Sequence, residues 1–364
     1  MSKSKGIKYF AKLGNSGYGE ATKDYLIALL DLGVDVSLEI LFSDNTDINN
    51  NNEKRNKRVN EIINKDIEFD TIIVHSVPFF WKDVFERYPN KKKIGMTVWE
   101  TDKLNKEWVD NINICDEVIV PCNWNKEVFI NSGVIKPIHV IPHIIKPQIE
   151  IDSNIDGISD NDYIFYTIGS WDVRKGISDT IKAYLNEFNS KDNTVLIVKT
   201  FEFGFSNSQK EKVKKYVYEI VKSYSNPAKI ILILDELNQE QIEAIHTKGD
   251  CYVSLCKSEG WGLGAFDAVG RGKPVVMTNY GGQLDFLKNG NHRLIDYNLI
   301  PVEGMPWIRG YENTHNWAQP DISQASKFMR EIYNNRQQPS DEQKKWVYDN
   351  FNSDVVSKSL LRII

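Results

Sequence analysis

Four cysteines and six histidines are all that 364 residues supply of the usual metal-binding side chains. Cys115, Cys122, Cys251 and Cys256 sit in or beside strand-like apolar segments, and their spacing matches no common zinc pattern. That excludes a disulfide framework or zinc knot and implies buried, reduced thiols in a reducing, cytoplasmic setting. Long apolar runs are missing too. None approaches the length of a membrane span, and the N-terminal MSKSKGIKYF lacks the apolar core of a signal peptide. Positive charge is in deficit, with 45 Lys and Arg against 50 Asp and Glu and a formal charge of -5, which argues against a general nucleic-acid binder. What is present, 41% hydrophobic and 26% charged residues, describes a soluble globular chain long enough for two domains.

Apolar and amphipathic segments alternate from the start. Strands are expected at residues 7–13, 34–42, 70–75, 93–99, 117–122 and 139–142, with helices at 23–32, 55–64, 80–88, 106–114 and 125–132. Such alternation demands right-handed crossovers and a parallel sheet with helices on both faces, an α/β fold. Pro137, Pro142 and Pro147, with polar residues through Asp162, interrupt the pattern and set a domain boundary near residue 150. It then resumes, with strands at 163–168, 195–199, 230–234, 252–256 and 275–278 and a long charged helix at 208–224. Three helices close the chain, at about 321–335, 340–350 and 354–361. The Asn- and Lys-rich stretch 47–60 reads as a solvated loop or helix start.

The most ordered stretch is CYVSLCKSEGWGLGAFDAVGRGKPVVMTNY, residues 251–280. A strand breaks into a Ser-Glu-Gly turn, a helix starts on Gly262, Leu263 and Gly264, and a strand re-enters at Pro274, which is a parallel βαβ unit. A helix that begins on small residues exposes unpaired N–H groups and the positive end of its dipole, and such an end accepts phosphate. Glu259 in the loop and Asp267 about a turn into the helix bracket that end. An anion cradle flanked by hydroxyl-binding carboxylates suits a sugar nucleotide. Upstream, the strand at 163–168 runs into GSWDVRKG, placing Arg174 and Lys175 at the carboxyl end of a parallel strand, where such sheets bind ligands. Lys199 ends the next strand. Fixed cations are what a departing diphosphate needs as its negative charge grows. In the first half, Gly14, Gly17 and Gly19 form a flexible turn before a helix, similar to a dinucleotide loop. No acidic residue closes the following strand to take a ribose, since Asp44 falls in the loop beyond it.

The spacing of Glu259 and Asp267 about the glycine helix start, the Arg-Gly-Lys-Pro exit and the later Gly281-Gly282 resemble the donor-site signature of retaining family 4 glycosyltransferases (glycosyl transferases group 1, GT-B fold). The likeness is strongest over 160–290. It implies two Rossmann-like domains facing across a cleft, 1–150 on the acceptor side and 151–345 on the nucleotide-sugar donor side, with 346–364 as a helix returning to the first. It also implies transfer of a sugar from a nucleotide-diphosphate sugar to a hydroxyl of a glycan or a lipid- or protein-linked saccharide. No metal and no cofactor besides the donor is expected. Glu259 would face the transferred sugar, the amides of Gly262, Leu263 and Gly264 the distal phosphate, and Asp267, one methylene shorter than the family's second Glu, the ribose. Lys175 with Gly176 matches the family's Lys-Gly pair on the diphosphate. Ser170 stands where the family has arginine, so Arg174, and after it Lys199, is expected to complete the cations. Gly17 would approach donor phosphate or acceptor.

GMTVWETD, at 95–102, carries Trp99-Glu100 where many relatives carry Thr-x-His-Asp. With Trp108 following, it resembles a Trp-Glu variant subgroup. Glu100 would then be a sugar contact or a polar group near the reacting centre and Trp99 a stacking surface; the alternative is a buried Trp with a capping Glu. His75, ending IIVHS, is either a sugar or acceptor contact or a satisfied core histidine. His143 stands where relatives have Asn in the interdomain connector. Asp160-Asn161-Asp162 spells the D-x-D of metal-dependent GT-A enzymes but lies in the connector, without the surrounding fold. The expected partners are the sugar nucleotide and a saccharide or other hydroxyl acceptor, not nucleic acid, and a peripheral membrane contact is left open. The rival readings are a GT-B-fold epimerase or phosphorylase and a sugar-nucleotide-binding protein without turnover.

Overall fold

The computed structural model describes residues 6–14, 16–43, 54–149, 151, 155–287 and 290–364. Asp44 and the 47–53 part of the Asn-rich stretch lie outside them. Contacts divide the chain into two units. The first is the chain up to Ile145 with Gly310–Glu312 and Asp349–Ile364; the second is Lys146–Arg309 with Asn313–Tyr348.

The elements alternate as far as residue 295. They begin with β1 (Gly6–Leu13), α1 (Gly17–Asp31), β2 (Val36–Ser43), α2 (Lys54–Asn60), β3 (Phe69–His75) and α3 (Trp81–Glu86). Then come β4 (Lys92–Met96), α4 (Lys106–Ile112), β5 (Glu117–Val120), α5 (Asn123–Asn131) and β6 (Ile138–Val140). The second series is β7 (Tyr163–Ser170), α6 (Ile177–Glu187), β8 (Thr194–Phe201), α7 (Asn207–Val221), β9 (Lys229–Ile233) and α8 (Gln239–Lys248). It continues with β10 (Cys251–Ser254), α9 (Leu263–Val269), β11 (Val275–Thr278), α10 (Leu284–Leu287) and β12 (Arg293–Ile295). A hairpin, β13 (Tyr297–Pro301) and β14 (Asn316–Pro320), precedes α11 (Ile322–Asn334), α12 (Asp341–Phe351) and α13 (Ser353–Leu361).

In the first unit the strands run parallel in the order β2-β1-β3-β4-β5-β6. Both faces are covered, as a parallel sheet requires, so the strands read as continuous apolar runs. Ile7, Tyr9 and Ala11 pack on one side with Leu26, Leu29, Val356 and Leu360, so α13 shares a core with α1. Phe10, Ile72 and Val74 pack on the other with Trp81, Phe85 and Trp108. The helix expected from residue 23 starts instead at Gly17. Ser16 caps it by accepting from the Gly19 amide, and a Cβ on Gly19 would stand 2.1 Å from the Gly14 carbonyl oxygen. The glycines are therefore the close-packed first turn of the helix rather than a loose loop before it.

The second sheet is also parallel, in the order β12-β11-β10-β7-β8-β9, and the antiparallel β13–β14 ribbon forms a two-stranded sheet of its own. One face of this sheet packs Phe165, Leu196, Val198 and Val253 against α6 and α11. The chain winds outward from β7 through β8 to β9, then returns to the other side of β7 and winds the opposite way from β10. The strand order thus reverses between β7 and β10, the crevice where open α/β sheets bind ligands at the carboxyl ends of their strands. That reversal brings the GSWDVRKG loop beside the KSEGWGLG loop.

Candidate functional site

The loop after β7 is built around Asp172. Its carboxylate accepts from Ser170 Oγ (2.5 Å) and from the Lys175 amide (2.9 Å), which folds residues 170–175 back on themselves. Gly176 follows with φ +61°, and a Cβ there would stand 1.9 Å from the Leu255 carbonyl oxygen. Only glycine lets this turn lie directly on the backbone leaving β10. The Lys257 amide donates to the Arg174 carbonyl at 2.6 Å, and Thr180 Oγ1 accepts from the Leu255 amide at 3.1 Å. The two loops are thus latched through their main chains.

This latch sets up the ion cluster. Lys175 Nζ donates to Glu259 Oε1 at 2.6 Å; Arg174 Nη1 donates to Glu259 Oε2 at 3.1 Å and to the Ser258 carbonyl at 3.0 Å. Glu259 is 8% exposed. Burial alone would raise its carboxyl, but the charges and hydrogen bonds of Lys175 and Arg174 outweigh it and hold the group below the usual carboxylate range. From the other side the Gly282 amide donates to the Glu259 carbonyl at 2.8 Å, and a Cβ on Gly281 (φ +114°) would stand 2.7 Å from that same oxygen. The Gly-Gly turn therefore fixes the Glu259 backbone.

The helix start lies against the same carboxylate. Gly262 has φ +90° as the cap of α9, and a Cβ on it would stand 3.6 Å from Glu259 Cγ. Gly264 approaches the Tyr252 ring so closely that a Cβ would stand 2.6 Å from its hydroxyl oxygen. Leu263 lies between them as the first residue of α9, whose opening amides have no acceptor within the helix. Asp267, one turn in, is partly exposed, with His246 Nε2 at 3.9 Å and the Arg271 guanidinium donating to its carbonyl. Lys199 pairs in register with Ile168 across β7 and β8, two residues before Ser170 on the β7 side. Its ammonium lies 5.3 Å from the Phe201 ring centre and 5.1 Å from that of Phe205, and burial lowers it to about 8 against the opposing pull of Asp235 and Glu236. Ser170, Arg174, Lys175, Lys199, Glu259, Gly262, Leu263, Gly264 and Asp267 all belong to the second unit.

For Trp99 and His75, in the first unit, the structure takes the core alternative over the sugar contact. Trp99 is buried at 3% exposure rather than open to a sugar face. Its ring lies 4.3 Å from that of Trp108 and 5.2 Å from that of Tyr311, and its indole N–H donates to Thr101 Oγ1 and to the Lys103 carbonyl. Packing among aromatic rings, with Gly310 against its edge, leaves no face for stacking. His75 is likewise a core histidine. Tyr9 Oη and Thr22 Oγ1 lie 2.9 and 3.1 Å from its Nδ1, and burial, reinforced by His143, holds it down at about 3, so it stays neutral. Glu100 accepts a hydrogen bond from Tyr311 Oη at 3.2 Å. Gly17 sits in the first turn of α1. His143 is buried beside the Tyr25 ring, and burial lowers it to about 4.

Two residues of the site escaped the sequence reading. Asp172 shapes the cation loop, and only its place between a strand end and Arg174-Lys175 hinted at that. Gln283 is fully buried; its amide donates to the Thr278 and Tyr280 carbonyls. Its Oε1 and the nearby Ser258 Oγ have no hydrogen-bond partner among the described residues. Among the described residues no group of three or more His, Cys, Asp or Glu could hold a metal ion, and no helix is long and apolar enough to cross a membrane.

The fold recurs in solved structures over nearly the whole chain. Anabaena HepE, solved in complex with UDP-glucose, superposes with a TM-score of 0.65 and 12% identity over 99% of each chain. A glycosyltransferase from Rickettsia africae gives 0.66 and 13%, over 99% of this chain and 98% of the other. Sucrose-phosphate synthase from Thermosynechococcus elongatus gives 0.67 and 12%, again over 99% and 98%. At these identities the likeness is one of fold, two Rossmann-like domains of the GT-B kind. No curated protein matches the chain. The segment that carries the cation loop, Lys199, Glu259, the α9 start and Asp267, residues 148–298, matches the family of glycosyl transferases group 1.

Proposed function

We propose that this protein is a retaining glycosyltransferase that takes its sugar from a nucleotide-diphosphate sugar without a bound metal. The observation that carries the reading is the buried Glu259 carboxylate paired with the partly buried Lys175 and Arg174 at the strand-order reversal of the second unit, beside the glycine start of α9. Two cations and a run of backbone amides suit a diphosphate, and a buried, ionised carboxylate suits the hydroxyls of the sugar it carries. In transfer, the bond between the anomeric carbon and the phosphate oxygen breaks while one forms to the acceptor oxygen on the same face. The acceptor proton passes to the departing phosphate, whose growing charge Lys175 and Arg174 stabilise. The UDP-glucose complex of HepE, which shares the fold, makes a UDP-sugar the first donor to try. A thermal-shift panel of UDP-, GDP-, ADP- and TDP-sugars tests the reading, followed by proton NMR of the product in the presence of EDTA. An inverted anomeric centre removes the retaining mechanism, and EDTA-sensitive turnover removes metal independence. Stabilisation by a donor with neither hydrolysis nor transfer leaves a binding protein.

Asp267 is read as the ribose contact. Asp267→Ala then loses hydrogen bonds to a charged acceptor and weakens donor binding roughly 10-fold or more. Calorimetry on the donor checks this, and unchanged affinity assigns Asp267 to the helix end alone.

Lys199, the second candidate after Arg174, is read as a further cation of the donor site. Burial loosens its proton, so the ammonium is complete below about pH 8 and is lost as pH rises through that value. Donor affinity is therefore expected to be level up to about pH 8 and to fall by up to ~10-fold per pH unit beyond it, with Lys199→Met flattening the profile. Calorimetric titrations across that range decide the matter. A wild-type profile no steeper than that of the variant takes Lys199 out of the donor site.

A further inference from the structure

We propose that Glu259 makes the site prefer a sugar-esterified diphosphate over the free nucleoside diphosphate, and so drives the product out. The proposal rests on the donor-site reading above.

It follows from what already occupies the two cations. Lys175 Nζ is 2.6 Å and Arg174 Nη1 3.1 Å from the two oxygens of one carboxylate, which is 8% exposed. The cluster is its own ion pair: two positive charges, one negative, poorly screened by water. Any phosphate that reaches Lys175 meets Glu259 as a competitor for the same donors. A free nucleoside diphosphate ends in a phosphate carrying a second negative charge around neutral pH, and that charge repels the carboxylate. In the sugar ester the terminal phosphate has lost that charge and bears a sugar, whose hydroxyls donate to a carboxylate rather than oppose it. One residue thereby attracts the substrate and repels the product, and the sign of its effect changes when the sugar leaves.

The main chain supports this role. The Glu259 carbonyl accepts from Gly282, and Arg174 remains tied to the Ser258 carbonyl whatever stands at the side chain of 259. Replacing the carboxylate with an amide therefore changes charge while the loops keep their latches.

The test uses full-length protein, calorimetry, and UDP, GDP, ADP and TDP with their glucose esters. Glu259→Gln is expected to bind the free diphosphate about 10- to 100-fold tighter than wild type, while the ester gains nothing or weakens. Glu259→Asp, which keeps the charge, should hold the wild-type ratio of the two affinities within about 3-fold. Free-diphosphate binding that is unchanged or weaker in the folded Gln variant overturns the proposal, as does equal tightening in Glu259→Asp. A wild-type protein that binds none of the eight compounds overturns the donor-site reading itself.

Discussion

Lys175→Ala is expected to lower turnover about 10²-fold at saturating donor, the usual cost of removing one charge-stabilising group from a reaction that builds negative charge. The loss should fall on kcat more than on KM. Lys175 is already engaged, 2.6 Å from Glu259, so exchanging that carboxylate for a diphosphate brings little net gain in the ground state. The gain comes as the glycosidic bond breaks and the leaving phosphate acquires charge beside an ammonium that is already oriented. Arg174 keeps its own hydrogen bond to Glu259, so the variant retains one partner for the buried carboxylate and should still fold. Single-turnover kinetics with a donor found in the panel check the value. Near-normal turnover would remove Lys175 from the chemistry.

How much of this was written in the sequence depends on how local the cause is. The parallel alternation was legible because each strand and helix carries its own period, and the donor-side residues because glycine turns and charged loops sit at strand ends. Contacts between distant segments were not. Trp99 can be read from sequence as a stacking surface; Trp108 covers it from nearby, and its burial is completed by Tyr311 and Gly310, more than two hundred positions along the chain. His75 ended a strand as a site residue would, but Tyr9 and Thr22 close over its Nδ1. The β13–β14 ribbon escaped because Tyr297–Pro301 is short and mostly exposed, with no alternation of apolar and polar residues. The sequence places Arg174 and Lys175 at a strand end, where a diphosphate would sit. Their pairing with Glu259 required knowing that β10 returns beside β7, and no local pattern carries that.

That dependence on loop contact makes Gly176 the most exacting position in the site. Gly176→Ala is expected to lower turnover at least ~10²-fold, as does a misplacement of about 1 Å in a reacting group. Two separate causes act together. The left-handed conformation, φ +61°, costs a residue with a Cβ roughly 1–2 kcal/mol. The Cβ would also stand 1.9 Å from the Leu255 carbonyl oxygen, part of a backbone that cannot turn aside as a side chain could. The loop must lift from β10, breaking the Lys257 amide to Arg174 carbonyl bond and drawing both cations away from Glu259. The fold itself lies mostly elsewhere, in the core of β7, β8, α6 and α11, so the variant should remain cooperative in thermal unfolding with a modestly lower Tm. Donor affinity and turnover should fall together, in contrast to Lys175→Ala, where turnover bears most of the loss. Wild-type kinetics in Gly176→Ala would mean that the latch between the two loops does not set the position of the cations.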